Sequence, residues 1–154
     1  MTFFDCHCHT ERSACAEDVS LEMYRALAAA SCGLFAITDH SAHLYYPPEN
    51  RWGFWTDEAE AIFEQCRDEG LARCADYVRW VREAQCGKML LGVELDVLPD
   101  GRVVFDQALL SELDIILGAV HNLRGLAADR PLPEVIGEYK SRTLRLCELG
   151  VHVI

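Results

Sequence analysis

The chain has 154 residues, enough for one domain with a buried core. Hydrophobic residues make up 51% and charged ones 25%, an ordinary globular balance, and the formal net charge is −11. That charge argues against a nucleic-acid-binding surface, which needs an excess of Lys and Arg to displace counterions. With no run of 18 apolar residues, no membrane-spanning helix is expected. The N-terminus carries Asp5 and His7 where a secretory signal needs a basic start and an apolar run, so the expected location is cytoplasmic. There are eight cysteines but no CxxC pair, which speaks against a zinc ribbon. Most of them read as small buried hydrophobes in a reducing compartment.

Residues 2–6 (TFFDC) predict a short strand. A helix follows from about Ser20 to Ser31, with Ser20 as N-cap and Gly33 as the stop. LFAIT (34–38) is a continuous apolar run, as expected of a strand buried on both faces. An irregular stretch, SAHLYYPPENRWGFW, comes next. Thr56 can cap a long helix whose apolar stripe runs from Ala59 to Val81, with Gly70 as a candidate kink. MLLGVEL (89–95) predicts another buried strand, and PDG supplies the turn of a hairpin in LDVLPDGRVVF. A short helix near 106–112 precedes a strand at DIILGAV (114–120). A helix runs from Pro133 to about Leu149 and ends at Gly150. VHVI opens a further strand. This alternation predicts a single α/β domain, residues 1–154, with parallel strands.

The polar residues share one address. His7 and His9 follow the first strand, Asp39 and His40 the second, Glu94 ends the third, and His121 follows the fourth. Ligands of parallel α/β sheets and barrels bind at the carboxyl ends of the strands. His7 and His9 are two apart, so they project to one side and can grip one cation. Four imidazoles and one carboxylate suit zinc, iron or manganese rather than calcium. Glu94 has two oxygens and could bridge two metals, and Asp5 or Asp39 could orient a ligating imidazole. Arg12 and Arg124 are either phosphate clamps or solvated surface residues. The loop with Tyr45, Tyr46, Trp52, Phe54 and Trp55 either covers the site or packs outside the sheet. His43 and His152 read as structural.

DCHCHT, ITDH, GVELD and GAVH, in this order, resemble the first four motifs of the PHP (polymerase and histidinol phosphatase) superfamily. The likeness is closest to its stand-alone histidinol-phosphatase-like members and runs over essentially the whole chain. It implies a distorted, TIM-like (β/α)7 barrel with a trinuclear metal site at the carboxyl ends of the strands, and phosphoester hydrolysis by a metal-activated water. Carried over by motif, His7 and His9 would bind one metal, Glu94 would bridge two, His121 would bind the second and His40 a third. Two departures stand out. Where the family often has His or Asp six residues after the second His, this chain has Cys15, which is either a thiolate ligand or an inert thiol. The family's later His-Pro and Asp-x-His motifs are missing, so the chain is expected to be the first part of a longer protein. It would hold about five of the seven barrel strands and would either self-associate through its open edge or be less stable than its parent.

The leading expectation is therefore a metal-dependent phosphoesterase with two to three divalent ions. It would act on a small phosphate monoester, with histidinol phosphate as lead candidate, and would be weak or inactive as this piece alone. An amidohydrolase-type enzyme is the first alternative, although Lys88 and Lys140 are poorly placed for its bridging lysine. A non-catalytic metal-binding module of the same fold, including a polymerase-associated one, is the second.

Overall fold

The computed structural model describes residues 4–30, 33–123 and 130–154. Four parallel strands pair in chain order: β1 (Phe4–Cys8), β2 (Leu34–Ile37), β3 (Met89–Asp96) and β4 (Ile115–Ala119). Each crossover carries helix: α1 (Leu21–Ala30) between β1 and β2, then α2 (Ser41–Tyr45), α3 (Ala59–Gln65) and α4 (Arg67–Ala84) between β2 and β3. A 3-10 helix at Gln107–Glu112 leads into β4, and α5 (Leu132–Glu148) follows it. The sheet curls into a half-barrel, compatible with part of a TIM-like fold.

The alternation along β3 explains the layering. Leu91, Val93 and Leu95 are fully buried against the main core, where each contributes about 2 kcal/mol. Leu90, Gly92, Glu94 and Asp96 take the other face. Leu90 joins Cys6, Ala36, Ile115 and Leu117 in a small second cluster there. β3 is paired on both sides, so its carboxyl end lies at the centre of the sheet edge.

Several elements differ from expectation. The first strand runs to Cys8, so His7 lies inside it, and its pairing with β2 shifts register between Asp5 and Cys8. Thr56 does not cap a helix; its hydroxyl donates to the Gly53 carbonyl, and α3 begins at Ala59. The long helix breaks at Cys66 (φ −104°, ψ 19°), not at Gly70. Gly70 instead admits Tyr45, whose ring would lie 2.7 Å from an added Cβ. The irregular stretch contains α2 and a 3-10 segment, Pro48–Trp55. The expected last strand is reduced to one parallel bridge, Leu117 with Val153, and the His152 N–H donates to Ile116 O at 2.8 Å. Among the described residues no helix is long and apolar enough to cross a membrane.

Gly92 tests the tightness of the sheet beneath the site. A Cβ there would lie 2.6 Å from Ile115 Cγ2 and 2.7 Å from the Ile115 carbonyl oxygen. Because backbone cannot step aside cheaply, Gly92→Ala is expected to cost about 1–3 kcal/mol in urea unfolding. Gly87→Ala, with open space around it, should stay within about 0.5 kcal/mol. Equal midpoints for the two variants would refute this packing.

Candidate metal centre

Backbone pairing builds the site before any side chain contributes. The Glu94 N–H donates to Asp39 O at 3.1 Å, and His40 bridges Glu94 in parallel register. The carboxyl ends of β2 and β3 are thereby locked side by side. His7 and His9 arrive from β1, and His121 from just beyond β4.

Glu94 is at the centre. Its Oε2 faces His40 Nδ1 at 2.8 Å, His9 Nε2 at 3.2 Å and His7 Nε2 at 3.3 Å. Its Oε1 faces His121 Nε2 at 3.2 Å. The rings of His9 and His121 lie 4.4 and 4.8 Å from that of His40. Burial pushes the Glu94 carboxyl up, but the facing imidazoles of His121, His40 and His9 outweigh it. They hold the group well below the usual carboxylate range.

Three overlapping donor sets result: His7, His9 and Glu94; His40, Glu94 and His121; and His9, Cys15 and His40, with ligand atoms within 4.8 Å in each. The donor atoms fit divalent ions. A tetrahedron with bonds of about 2.0 Å has edges of about 3.3 Å, and the separations of His7, His9 and His121 from Glu94 match that edge. His9 Nε2, His40 Nδ1 and Glu94 Oε2 are buried and close together, yet none makes a hydrogen bond. Polar atoms arranged in this way face a shared cation more naturally than one another.

Asp96 was not expected. It is fully buried on the same face of β3 as Glu94, and its Oδ1 lies 2.8 Å from His121 Nδ1. A carboxylate on the far nitrogen of a ligating histidine fixes its tautomer and orientation. Burial pulls the His121 pKa down, but Asp96 and Glu94 raise it to about 10. The two-residue spacing from Glu94 was the available clue.

The remaining candidates fall in different places. Asp39 is fully buried and meets no imidazole; it accepts from Thr10 N, Thr10 Oγ1 and Ser13 Oγ at 2.7–2.8 Å, so it holds the turn after His9. Burial pushes its carboxyl up, and those donors pull it back. Asp5 accepts from the His7 backbone N–H at 3.0 Å rather than from a ring. Cys15 Sγ lies 3.2 Å from His9 Nδ1, on the side of that ring away from Glu94, and burial raises its thiol pKa. Arg12 sits 4.6 Å over the Trp80 ring and 3.3 Å from Asp76, both on α4. Arg124 lies outside the described residues. His43 Nδ1 accepts from Ala14 N at 3.2 Å, and its ring lies 4.8 Å from that of His40. Burial, with the neighbouring His40 and Arg51 charges, lowers its pKa to about 3. His152 Nδ1 accepts from Ile116 N at 3.0 Å, a structural contact.

No protein-family profile matches the chain. The chain is similar to the DNA polymerase/3'-5' exonuclease PolX of Bacillus subtilis (strain 168), with 29% identity over 118 residues. That match covers 77% of this chain and 18% of PolX, so the chain spans less than a fifth of the length of this relative. The similarity found is thus to a segment of a polymerase–exonuclease, where the sequence motifs had pointed to a stand-alone phosphatase.

The raised His121 pKa has a testable sign. Its ordinary value is 6.5, so in the metal-free chain its contribution to stability is complete below that pH and is lost as pH rises through about 10. A metal must displace this proton, so apparent metal affinity should rise steadily from pH 7 to 9. Proton NMR of the metal-free chain should show the His121 ring charged at pH 8, and Asp96→Asn should bring its titration down. Titration near 6.5 in the unsubstituted protein would contradict the Asp96 pairing.

Proposed function

We propose that the chain carries a metal-dependent phosphoesterase site of the PHP kind. The observation supporting it best is the two-sided Glu94 carboxylate, with three imidazoles on one oxygen and a fourth on the other. The likeness to PolX, a DNA polymerase/3'-5' exonuclease, is compatible with phosphoester hydrolysis. His7, His9 and Glu94 would hold one divalent ion, and Glu94, His40 and His121 a second. Cys15 with His9 and His40 would complete a third donor set. Zinc, iron and manganese all suit nitrogen and carboxylate donors, and a thiolate at Cys15 would favour zinc.

Ions bound there would supply an activated water and a positive field for a phosphoryl group. The chain's own residues supply the rest. Asp96 orients His121 and keeps its Nε2 toward Glu94. Asp39 fixes the turn that carries His9 by holding Thr10 and Ser13. Arg12, engaged with Trp80 and Asp76, serves the scaffold rather than the phosphate. Arg51 is better placed for an anion: it neighbours His43, its Nε is buried without a hydrogen bond, and Glu17 lies 3.8 Å from its terminal nitrogen. The preferred substrate is a small phosphate monoester, with histidinol phosphate as lead candidate.

A second reading, a phosphodiesterase acting at a nucleic-acid end, draws on the likeness to PolX, a DNA polymerase/3'-5' exonuclease. The net charge of −11 weighs against a broad polyanion-binding surface.

Metal content by mass spectrometry, on protein purified without chelator, should give at least one equivalent of zinc, iron or manganese. Glu94→Ala and His9→Ala should lose metal and reduce hydrolysis of 4-nitrophenyl phosphate at least about a hundredfold. Full metal occupancy and turnover in Glu94→Ala would overturn the assignment. Cleavage of bis(4-nitrophenyl) phosphate in preference to the monoester would favour the second reading.

A further inference from the structure

A continuous aromatic wall leads from the imidazole cluster out to solvent. The Trp55 ring lies 6.0 Å from those of both His40 and His121. Trp52 follows, 5.3 Å from Trp55 at an interplanar angle of 56°. His43 backs both indoles, at 4.9 Å from Trp52 and 5.0 Å from Trp55. Trp52 is 56% exposed, so this end of the wall is open to solvent.

The wall is held rigidly. Phe54, between the two tryptophans, is fully buried in the core. Its carbonyl accepts from Asn122 Nδ2 at 2.5 Å, which ties the segment to the residue after His121. Gly53 packs closely against its neighbours: an added Cβ would lie 2.8 Å from the side-chain ends Asn50 Oδ1 and Ile62 Cδ1, which would have to shift to admit it. A mobile cover would not be pinned at its centre in this way. The geometry is that of a fixed platform.

We propose that Trp52 and Trp55 form a stacking subsite for a planar ring carried on the alcohol side of the phosphate ester. The inference rests on the phosphoester reading for the position of the phosphate, and it adds the substrate class. With phosphate at the imidazole cluster, the organic group leaves past Trp55 and reaches Trp52, the exposed end of the wall. A π-faced ring, whether an imidazole, a phenyl or a nucleobase, gains offset-stacked or edge-to-face contacts there that a saturated group of the same size does not. The cationic Arg51 next to Trp52 keeps the approach to the wall attractive to an anionic ester.

The test uses two non-hydrolysable ligands of equal charge, 4-phenylbutylphosphonate and 4-cyclohexylbutylphosphonate. Calorimetry would be run on the full chain loaded with manganese. The planar ring should bind about fivefold more tightly than the saturated one. Trp52→Ala should erase that preference and Trp52→Phe should retain it. Trp52 is exposed, so neither variant should compromise folding, and circular dichroism melts would check this. Equal binding of the two ligands to the unsubstituted protein, or a preference that survives Trp52→Ala, overturns the stacking subsite and leaves the phosphate reading standing. If the protein binds neither phosphonate, both fall.

Discussion

A carboxylate removed from water must be compensated where it sits, and Glu94 sets that condition for the whole molecule. It is 5% exposed, at the carboxyl end of a strand paired on both sides. An isolated buried charge would cost several kcal/mol and would protonate instead. Four imidazoles from three other chain segments meet that cost. They can converge only because the strands are parallel, so that every carboxyl end points to one edge. The fold and the donor cluster are therefore one arrangement.

Around this charge the chain fixes backbone rather than adding ligands. Asp39 binds the turn after His9 through three donors and carries none of the imidazoles. The buried Tyr77 hydroxyl donates to Gly92 O at 2.9 Å and lies near Ile37 O and Asp39 N, which joins the ends of β2 and β3 from below. Ser41 Oγ accepts from the Asp96 N–H at 2.8 Å. These are buried, mutually supporting contacts, and they leave the imidazoles little freedom to wander. Donor groups placed this way need little reorganisation when a cation enters.

Much of this arrangement was legible in the sequence, for a definite reason. Buried parallel strands are continuous apolar runs, and LFAIT, MLLGVEL and DIILGAV mark them without ambiguity. The residues at or just past the end of each run are then at the shared edge, so His40, Glu94 and His121 could be placed by counting. Asp96 could have been placed the same way, two residues beyond Glu94. Other features depend on contacts that no local pattern records. Arg12 is held by Asp76, 64 residues away, and by Trp80. The break at Cys66 has no Gly or Pro to announce it. The aromatic stretch 41–55 divides its rings between the core and the site, with Tyr45, Tyr46 and Phe54 buried and Trp52 exposed. Composition alone cannot make that division.

The net charge of −11 and an anionic substrate are compatible, because the relevant field is local. Glu94, Asp96 and Asp39 are each engaged by histidines or hydroxyl and amide donors, so their charges are largely compensated at the site. Cations bound among the imidazoles would dominate what remains. A polymer would need more, since its phosphates extend well beyond the cluster and the chain as a whole carries a net charge of −11. A likeness confined to 18% of PolX compares this chain with one segment of that protein, and it does not carry over surfaces that lie elsewhere in it. For the phosphoesterase proposed above, attraction centred on the cluster suits an ester small enough for its whole charge to lie within reach of it. It also leaves recognition of the organic part to neutral contacts, which the exposed indole beside the imidazoles is suited to provide.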